Sequence, residues 1–389
     1  MMAALAARES GRRVTIVERQ ARLGRKLLST GNGRCNLTNI SASPSNYHGE
    51  NPEFAAPALE AFSPEDTLSY FSSLGLMVSR EYGGRVYPLS NQANSVLDVL
   101  RYALSSREVE ILSGAPVLSA RKNGRGFSVR LEDRTLECSR LIIACGGCAG
   151  SRLGGVTDGY ELLKGFGHSR TALHPALTQV KTDTAYPRSL KGVRADAEIT
   201  LKKGGKALAS RRGELLFTDT GVSGTAIFEL SRSISLAGSG ARLEISFFPG
   251  MKASGLEAHI RHMAEINPTL PANAVLTGTV HNRLGQMLCK YAGISALGTA
   301  SELTQCEISA IASACLCFTL GVTGVSGFES AQVTAGGIRT SEFDPETLES
   351  RLVPGLYACG EVFDIDGDCG GYNLQWAWSS GRKAGLSAV

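Results

Sequence analysis

The sequence predicts an α/β chain in which a ligand-binding parallel sheet is interrupted by an insert, β-barrel-like in its first part and helical in its second. Three observations carry this. Near the C-terminus, Leu356–Cys359 is a short apolar run that stops at Gly360, and Gly370-Gly371 then opens a helix of apolar and aromatic residues. Near the N-terminus, alanines around Leu5 continue a helix, Gly11 suits its C′ position, and Val14–Val17 is a strand closed by Glu18. Between these ends, residues 177–248 read as short strands with turns and residues 249–320 as helices, before the chain returns at Val333–Ile338.

The two ends imply one kind of site. A strand ending in glycine, followed by a Gly-Gly entry into a helix, brings backbone N–H groups close to an anion. Open α/β sheets bind ligands at that end of their strands. From the last forty residues alone, a plain strand–turn–helix reads equally well. An acidic residue after a second strand is the ribose ligand of a Rossmann unit, about 20 residues beyond G-x-G-x-x-G. Here the chain begins inside the helix that motif would introduce, so the first strand and glycine loop are expected to be absent.

The most specific stretch is Leu23-Gly-Arg-Lys-Leu-Leu-Ser-Thr-Gly-Asn-Gly-Arg-Cys-Asn-Leu-Thr-Asn39. It resembles the signature of the BaiN-like family of NAD(P)/FAD-dependent oxidoreductases, which includes aminoacetone-oxidase-like and YhiN-like proteins. Leu141–Gly147, Thr157–Tyr160 and Gly370–Gly381 match the same family in order. The resemblance implies a Rossmann-like FAD-binding domain at 1–176 and 330–389, with inserted β-rich (177–249) and helical (250–329) domains.

Composition agrees. Gly is 45 of 389 residues, above the usual share of about 7%. A net charge of +4 creates no strong field for nucleic acid or membranes, and neither partner is expected. Ten scattered cysteines, several in apolar runs, read as free thiols in a reducing compartment. No signal peptide or 18-residue apolar run is present, so a cytoplasmic location is expected. Oligomeric state is not legible.

In order, Pro64, Glu65 and Asp66 follow Ser63 as in a helix first turn, and residues 95–104 have helical spacing. From Val109 four strands are expected to form an antiparallel meander, turning at Asn123-Gly124 and Glu132-Asp133. The apolar strand Leu141–Ala144 follows. Cys145 and Cys148 form a C-x-x-C with no second pair to complete a zinc site. Cys35 stands alone in its loop, against a flavin disulfide reductase, which would need two cysteines there. His168 and His174 lack a third metal ligand at useful spacing; no metal is expected. The Lys202, Lys203, Lys206, Arg211 and Arg212 cluster has no interleaved aromatics and reads as a solvated hairpin. The resemblance places Phe217–Gly224 facing the flavin pocket.

As the resemblance implies them, the FAD-binding residues are Glu18, Arg19, Gly24, Lys26, Thr30, Gly31, Asn32, Gly33, Arg34, Cys35, Asn36, Val117, Ala144, Cys145, Gly146, Gly147, Gly360, Glu361, Gly371, Tyr372 and Asn373. Glu18 would bind ribose hydroxyls, and 31–36 with 371–373 would flank the isoalloxazine. Arg34, His174 and Tyr372 are candidates for polarising a substrate or delivering a proton. Hydride transfer at flavin N5 on a small molecule, with NAD(P)H as possible electron donor, is the leading reading. A non-catalytic protein that keeps the fold is the alternative; a tRNA-modifying flavoprotein is a weaker third.

Overall fold

Short apolar runs bounded by glycines leave little choice but strand, and the computed structural model, which describes residues 1–388, places them in two units. The first unit comprises Met1–His174 and the chain from Phe328 onward. Helix α1 (Met2–Glu9) ends at Ser10, with Gly11 at φ +77°, and leads into β1 (Thr15–Glu18). Helix α2 (Arg25–Ser29) precedes an irregular loop, then β2 (Thr38–Asn39) and β3 (Tyr47–His48). Helices α3 (Ala56–Ala61) and α4 (Pro64–Ser73) follow. Ser63 caps α4: its Oγ accepts from Asp66 N at 3.2 Å, and Asp66 accepts from Ser63 N at 2.9 Å. Strands β4 (Val78–Arg80) and β5 (Arg85–Pro88) form a hairpin before α5 (Ala93–Ser106).

One expectation is corrected next. Of the four strands read from Val109, the first, β6 (Glu110–Ser113), leaves the meander and pairs parallel with β1. Thr15 Oγ1 donates to Glu110 at 2.7 Å across that pair. The meander is β7 (Ser119–Asn123), β8 (Gly126–Arg130) and β9 (Thr135–Cys138). Strand β10 (Leu141–Ile143) and helix α6 (Asp158–Gly165) complete this half, and β11 (His174–Ala176) lies at the boundary of the units.

The second unit, Pro175–Gly327, spans the stretches expected as separate strand-rich and helical parts, around one core. Its strands close into a six-stranded barrel: β12 (Val180–Thr182), β13 (Arg194–Lys203), β14 (Lys206–Thr218), β15 (Gly221–Ser223), β16 (Ala241–Ser246) and β17 (Phe318–Val325). Strands β13 and β14 are longer than the short strands expected. Alternate residues along β13 (Ala197, Ile199, Leu201) and β16 (Leu243, Ile245) point into the core. Helix α7 (Thr225–Ala237) interrupts the strands, and α8 (Ala253–Ile266), α9 (Asn282–Tyr291) and α10 (Gln305–Leu316) precede β17.

The first unit resumes with β18 (Val333–Ala335), β19 (Leu356–Ala358), β20 (Asp366–Gly367) and α11 (Tyr372–Ser387). Strand β19 pairs parallel with β10. Helix α11 packs on α1 through Gly385, where an added Cβ would stand 2.2 Å from Ala3 O. Among the described residues no helix is long and apolar enough to cross a membrane.

Candidate functional site

The strand ends place the first group. Glu18 closes β1, with one carboxylate oxygen accepting from Gln20 N at 2.8 Å. Ala115 N donates to Glu18 O at 2.9 Å, which holds the connection bearing Val117 beside it. Arg19 pairs with Asp158 at 2.9 Å, on the first turn of α6. Past β10, Gly146 (φ +71°) has no atom within 4 Å of where a Cβ would stand; Gly360 (φ +75°), past β19, is equally open. Gly147 is the opposite: a Cβ there would meet Thr334 Oγ1 at 2.5 Å and Glu361 Oε1 at 2.9 Å. Protein around Cys145, with Asp158 and Glu18 near, pushes its thiol up to about 11, although one side stays open to solvent.

The loop after α2 forms the second group. Lys26 Nζ binds Glu361 Oε2 at 2.7 Å, and Glu361 Oε1 accepts from Thr334 N at 2.8 Å. Asn32 (φ +56°) and Cys35 (φ +60°) hold left-handed backbone, a conformation that costs about 1–3 kcal/mol per residue and marks functional loops. Cys35 N donates to Thr30 O at 2.9 Å, and Arg34 N to Gly31 O at 3.2 Å. Burial pushes the Cys35 thiol up to about 12, so it is no thiolate nucleophile. Asn36 is buried, and its Oδ1 has no hydrogen-bond partner.

Helix α11 staples this loop. Trp378 Nε1 donates to Leu37 O at 2.9 Å, and Asn39 Nδ2 to Gly370 O at 3.0 Å. Thr38 Oγ1 donates to Gln375 Oε1 at 2.5 Å. Gly371, at φ +104°, lies so near Thr38 that a Cβ would stand 2.5 Å from its carbonyl. Asn373 exchanges two hydrogen bonds with the Gly367 backbone, each 2.8 Å. No side chain caps the N-terminus of α11, which begins at Tyr372.

The structure thus draws Lys26, Gly147 and Glu361 together, and sets the 36–39 segment against Gly371. One candidate turns away from this group. Arg34 turns outward to Glu81 and to Asn91 (Nε–Oδ1 3.0 Å), its guanidinium 3.9 Å from the centre of the Tyr87 ring. His174 lies at the first unit's exit. Thr334 and Gln375 went unread: Thr334 Oγ1 accepts from Ala149 N at 3.0 Å, and Gln375 is fully buried. A lone amide inside the aromatic run 374–378 was the available signal for Gln375.

These residues fit an FAD. Asn36 Oδ1 lacks a donor, and open space fronts Gly146 and Gly360 at the carboxyl ends of parallel strands, where backbone can approach a pyrophosphate or ribityl chain.

The family described as "HI0933-like protein Rossmann domain" matches residues 1–387. A 3-dehydro-bile acid delta(4,6)-reductase of Clostridium scindens is 39% identical over 388 residues, 99% of this chain and 95% of that protein. A ribosomal RNA dihydrouridine synthase of Escherichia coli is 31% identical, covering 98% of this chain and 93% of that one. Among solved structures, a 3-ketosteroid delta1-dehydrogenase of Sterolibacterium denitrificans aligns with TM-score 0.49 and 12% identity, over 99% of this chain and 96% of that one. That likeness is too distant to speak to chemistry. The match along nearly its whole length puts this chain in the HI0933-like Rossmann-domain family.

Proposed function

We propose that this enzyme uses NAD(P)H to reduce a carbon–carbon double bond conjugated to a carbonyl in a small organic substrate. The observation that carries it is the 39% identity to a protein named as a delta(4,6)-reductase of a 3-dehydro-bile acid. The second name fits the same chemistry, since dihydrouridine is uridine with two hydrogens added across a ring double bond conjugated to a carbonyl. FAD, when bound, supplies hydride chemistry at its N5 atom.

The chain's own residues would do the rest. Glu18 accepts hydrogen bonds from ribose hydroxyls, with Arg19 and the backbone at Val117 closing that end. Gly146, Gly147 and Gly360, with Ala144 and Cys145 leading into the turn, let backbone lie close to the cofactor chain. Gly24 and Lys26, on the approach to the loop Thr30–Asn36, and Glu361, bonded to Lys26, would line the cofactor beside Gly147. Asn36 would offer its Oδ1 as an acceptor to an N–H of the bound cofactor, and the backbone N–H groups of 371–373 at the start of α11 would meet developing negative charge. Saturating the double bond takes a hydride at the β carbon and a proton at the α carbon. Tyr372 and His174 are the proposed groups for holding the carbonyl and delivering that proton. Arg34, committed to Glu81 and Asn91, braces the loop rather than the substrate.

The test mixes FAD-loaded protein anaerobically with NADH or NADPH and follows bleaching of the oxidised flavin band. A 3-oxo-4,6-diene steroid or an unmodified ribosomal RNA fragment is then added, and the product is read by mass for two added hydrogens. Reduction of the steroid supports the proposal. Reduction of RNA alone moves the substrate to nucleic acid. If reduced flavin leaves both untouched and reacts only with oxygen, the proposal fails.

A further inference from the structure

Helix α6 borders a groove of about 480 Å³ that no step above uses. Tyr160, Glu161 and Lys164 face it from the helix at i, i+1 and i+4, and His168 closes one end. The opposite wall, 169–172, is fixed: Thr171 N donates to Gly337 O at 2.9 Å, and Arg339 N to Ser169 O at 3.0 Å.

His168 adds no charge to this wall. Ser350 Oγ accepts from Leu352 N (3.1 Å) and Val353 N (2.9 Å), so its own proton goes to His168 Nε2 at 2.9 Å. The other ring nitrogen then carries the hydrogen and donates to Glu342 at 2.8 Å, leaving a neutral imidazole. Lys164 and Arg170 are different. Among the described residues neither makes an ion pair, and Arg170 donates only to Thr171 O, at 3.1 Å. Glu161 is the single acid on the lining. The Tyr160 hydroxyl is buried without a hydrogen-bond partner; burial and then Glu361 hold its proton on, with Arg170 acting against them, so it stays a donor. A buried hydroxyl left unpaired lowers stability, so its retention needs a reason.

We propose that this groove binds a small oxyanion, a phosphate or a carboxylate carried by a metabolite, between Lys164 and Arg170, with the Tyr160 hydroxyl as a third donor. The volume suits a ligand larger than the anion itself. The excess of cations over acids on the lining sets the sign.

The test is calorimetric titration of the FAD-loaded full chain with inorganic phosphate and, separately, with succinate. Saturable binding of either, with the flavin spectrum unchanged, is expected; the stronger response tells phosphate from carboxylate. Lys164→Gln and Arg170→Gln should each weaken binding about tenfold, and Glu161→Gln should tighten it. Tyr160→Phe should melt no lower than wild type without the ion, yet lose part of the rise in Tm that the ion gives wild type. No binding of either ion, affinities indifferent to Lys164 and Arg170, weaker binding in Glu161→Gln, or release of flavin by the ion would each overturn the proposal.

Discussion

The barrel of the second unit and the 24–39 segment of the first are ordered by opposite means. In the barrel each strand is paired on both sides, and Ile199, Leu201, Leu243, Ile245, Phe318 and Leu320 are fully buried. Its order follows from closure and alternation, with no edge left open. The 24–39 segment has one helix of five residues, two non-glycine residues in left-handed backbone and a buried oxygen without a donor. It is held by a helix more than 330 residues away in sequence, through Trp378, Gln375 and Gly371. A site built this way keeps unsatisfied groups for a ligand, at the cost of depending on a distant element.

Substitution at the staple should therefore have the largest effect. Gly371→Val forces a side chain into the Thr38 carbonyl at a backbone angle that favours glycine. Strain and overpacking together should cost about 4 kcal/mol or more, lower Tm and abolish FAD retention. Leu243→Ala, in the barrel core, should cost about 3 kcal/mol in denaturant unfolding and leave FAD affinity unchanged. If Leu243→Ala releases flavin and Gly371→Val does not, the contrast between the regions is wrong. Smaller again is Glu18→Ala, which should weaken FAD binding by about 1.5–3 kcal/mol, roughly 10- to 150-fold, with Tm of the flavin-free protein unchanged. An unaltered dissociation constant would falsify the ribose role.

Acid should loosen the first unit through His168 and Glu342. Burial lowers the His168 pKa, and its bond to Glu342 only partly offsets this. For Glu342, burial pushes upward, but Ser169 and His168 together outweigh it and hold the carboxyl below its usual range. Above about pH 6.5 a neutral His168 costs nothing. As pH falls below that value the unfolded chain takes up a proton that the folded one resists, so stability falls by up to about 1.4 kcal/mol per pH unit. The Glu342 contribution is present above its unfolded pKa and is lost as pH falls through its lowered folded one. The two therefore act in the same direction. Urea midpoints at pH 7.5 and 5.5 check this: His168→Gln should flatten the dependence between them, and an equally steep variant would discard the assignment.

Much of this was legible because it is local. The α1–Gly11–β1–Glu18 run, the Ser63 cap, the β7–β9 hairpins and the strand before Gly360 each follow from neighbours in sequence. What was not legible joins distant positions. The departure of β6 from the meander rests on pairing with β1, 95 residues away. Periodicity near Val109 says strand, but not whose partner. The partners of Arg34, Glu81 and Asn91, come from the β4–β5 hairpin and the turn after it, which its own glycine-rich loop does not announce. His168 likewise takes its tautomer from Glu342 and Ser350, more than 170 residues on.

The smallest effect is expected where the sequence most tempts a larger one. Cys35 sits among the proposed flavin-facing residues, and Cys145 and Cys148 form a C-x-x-C beside the Gly146 turn. A thiol relay needs thiolate at working pH. Burial instead raises all three, Cys35 to about 12 and Cys145 to about 11, so the thiol form predominates. Cys35 is fully buried and in left-handed backbone, so Cys35→Ser should cost some stability through its environment. Electron transfer from NAD(P)H to the flavin should still proceed at close to the wild-type rate in Cys35→Ser, Cys145→Ser and Cys148→Ser, measured by stopped-flow bleaching of the flavin-loaded proteins. A folded, flavin-bound Cys35→Ser that reduces at least tenfold more slowly would make this thiol part of the electron path. The distorted loop would then be serving a nucleophile as well as a cofactor.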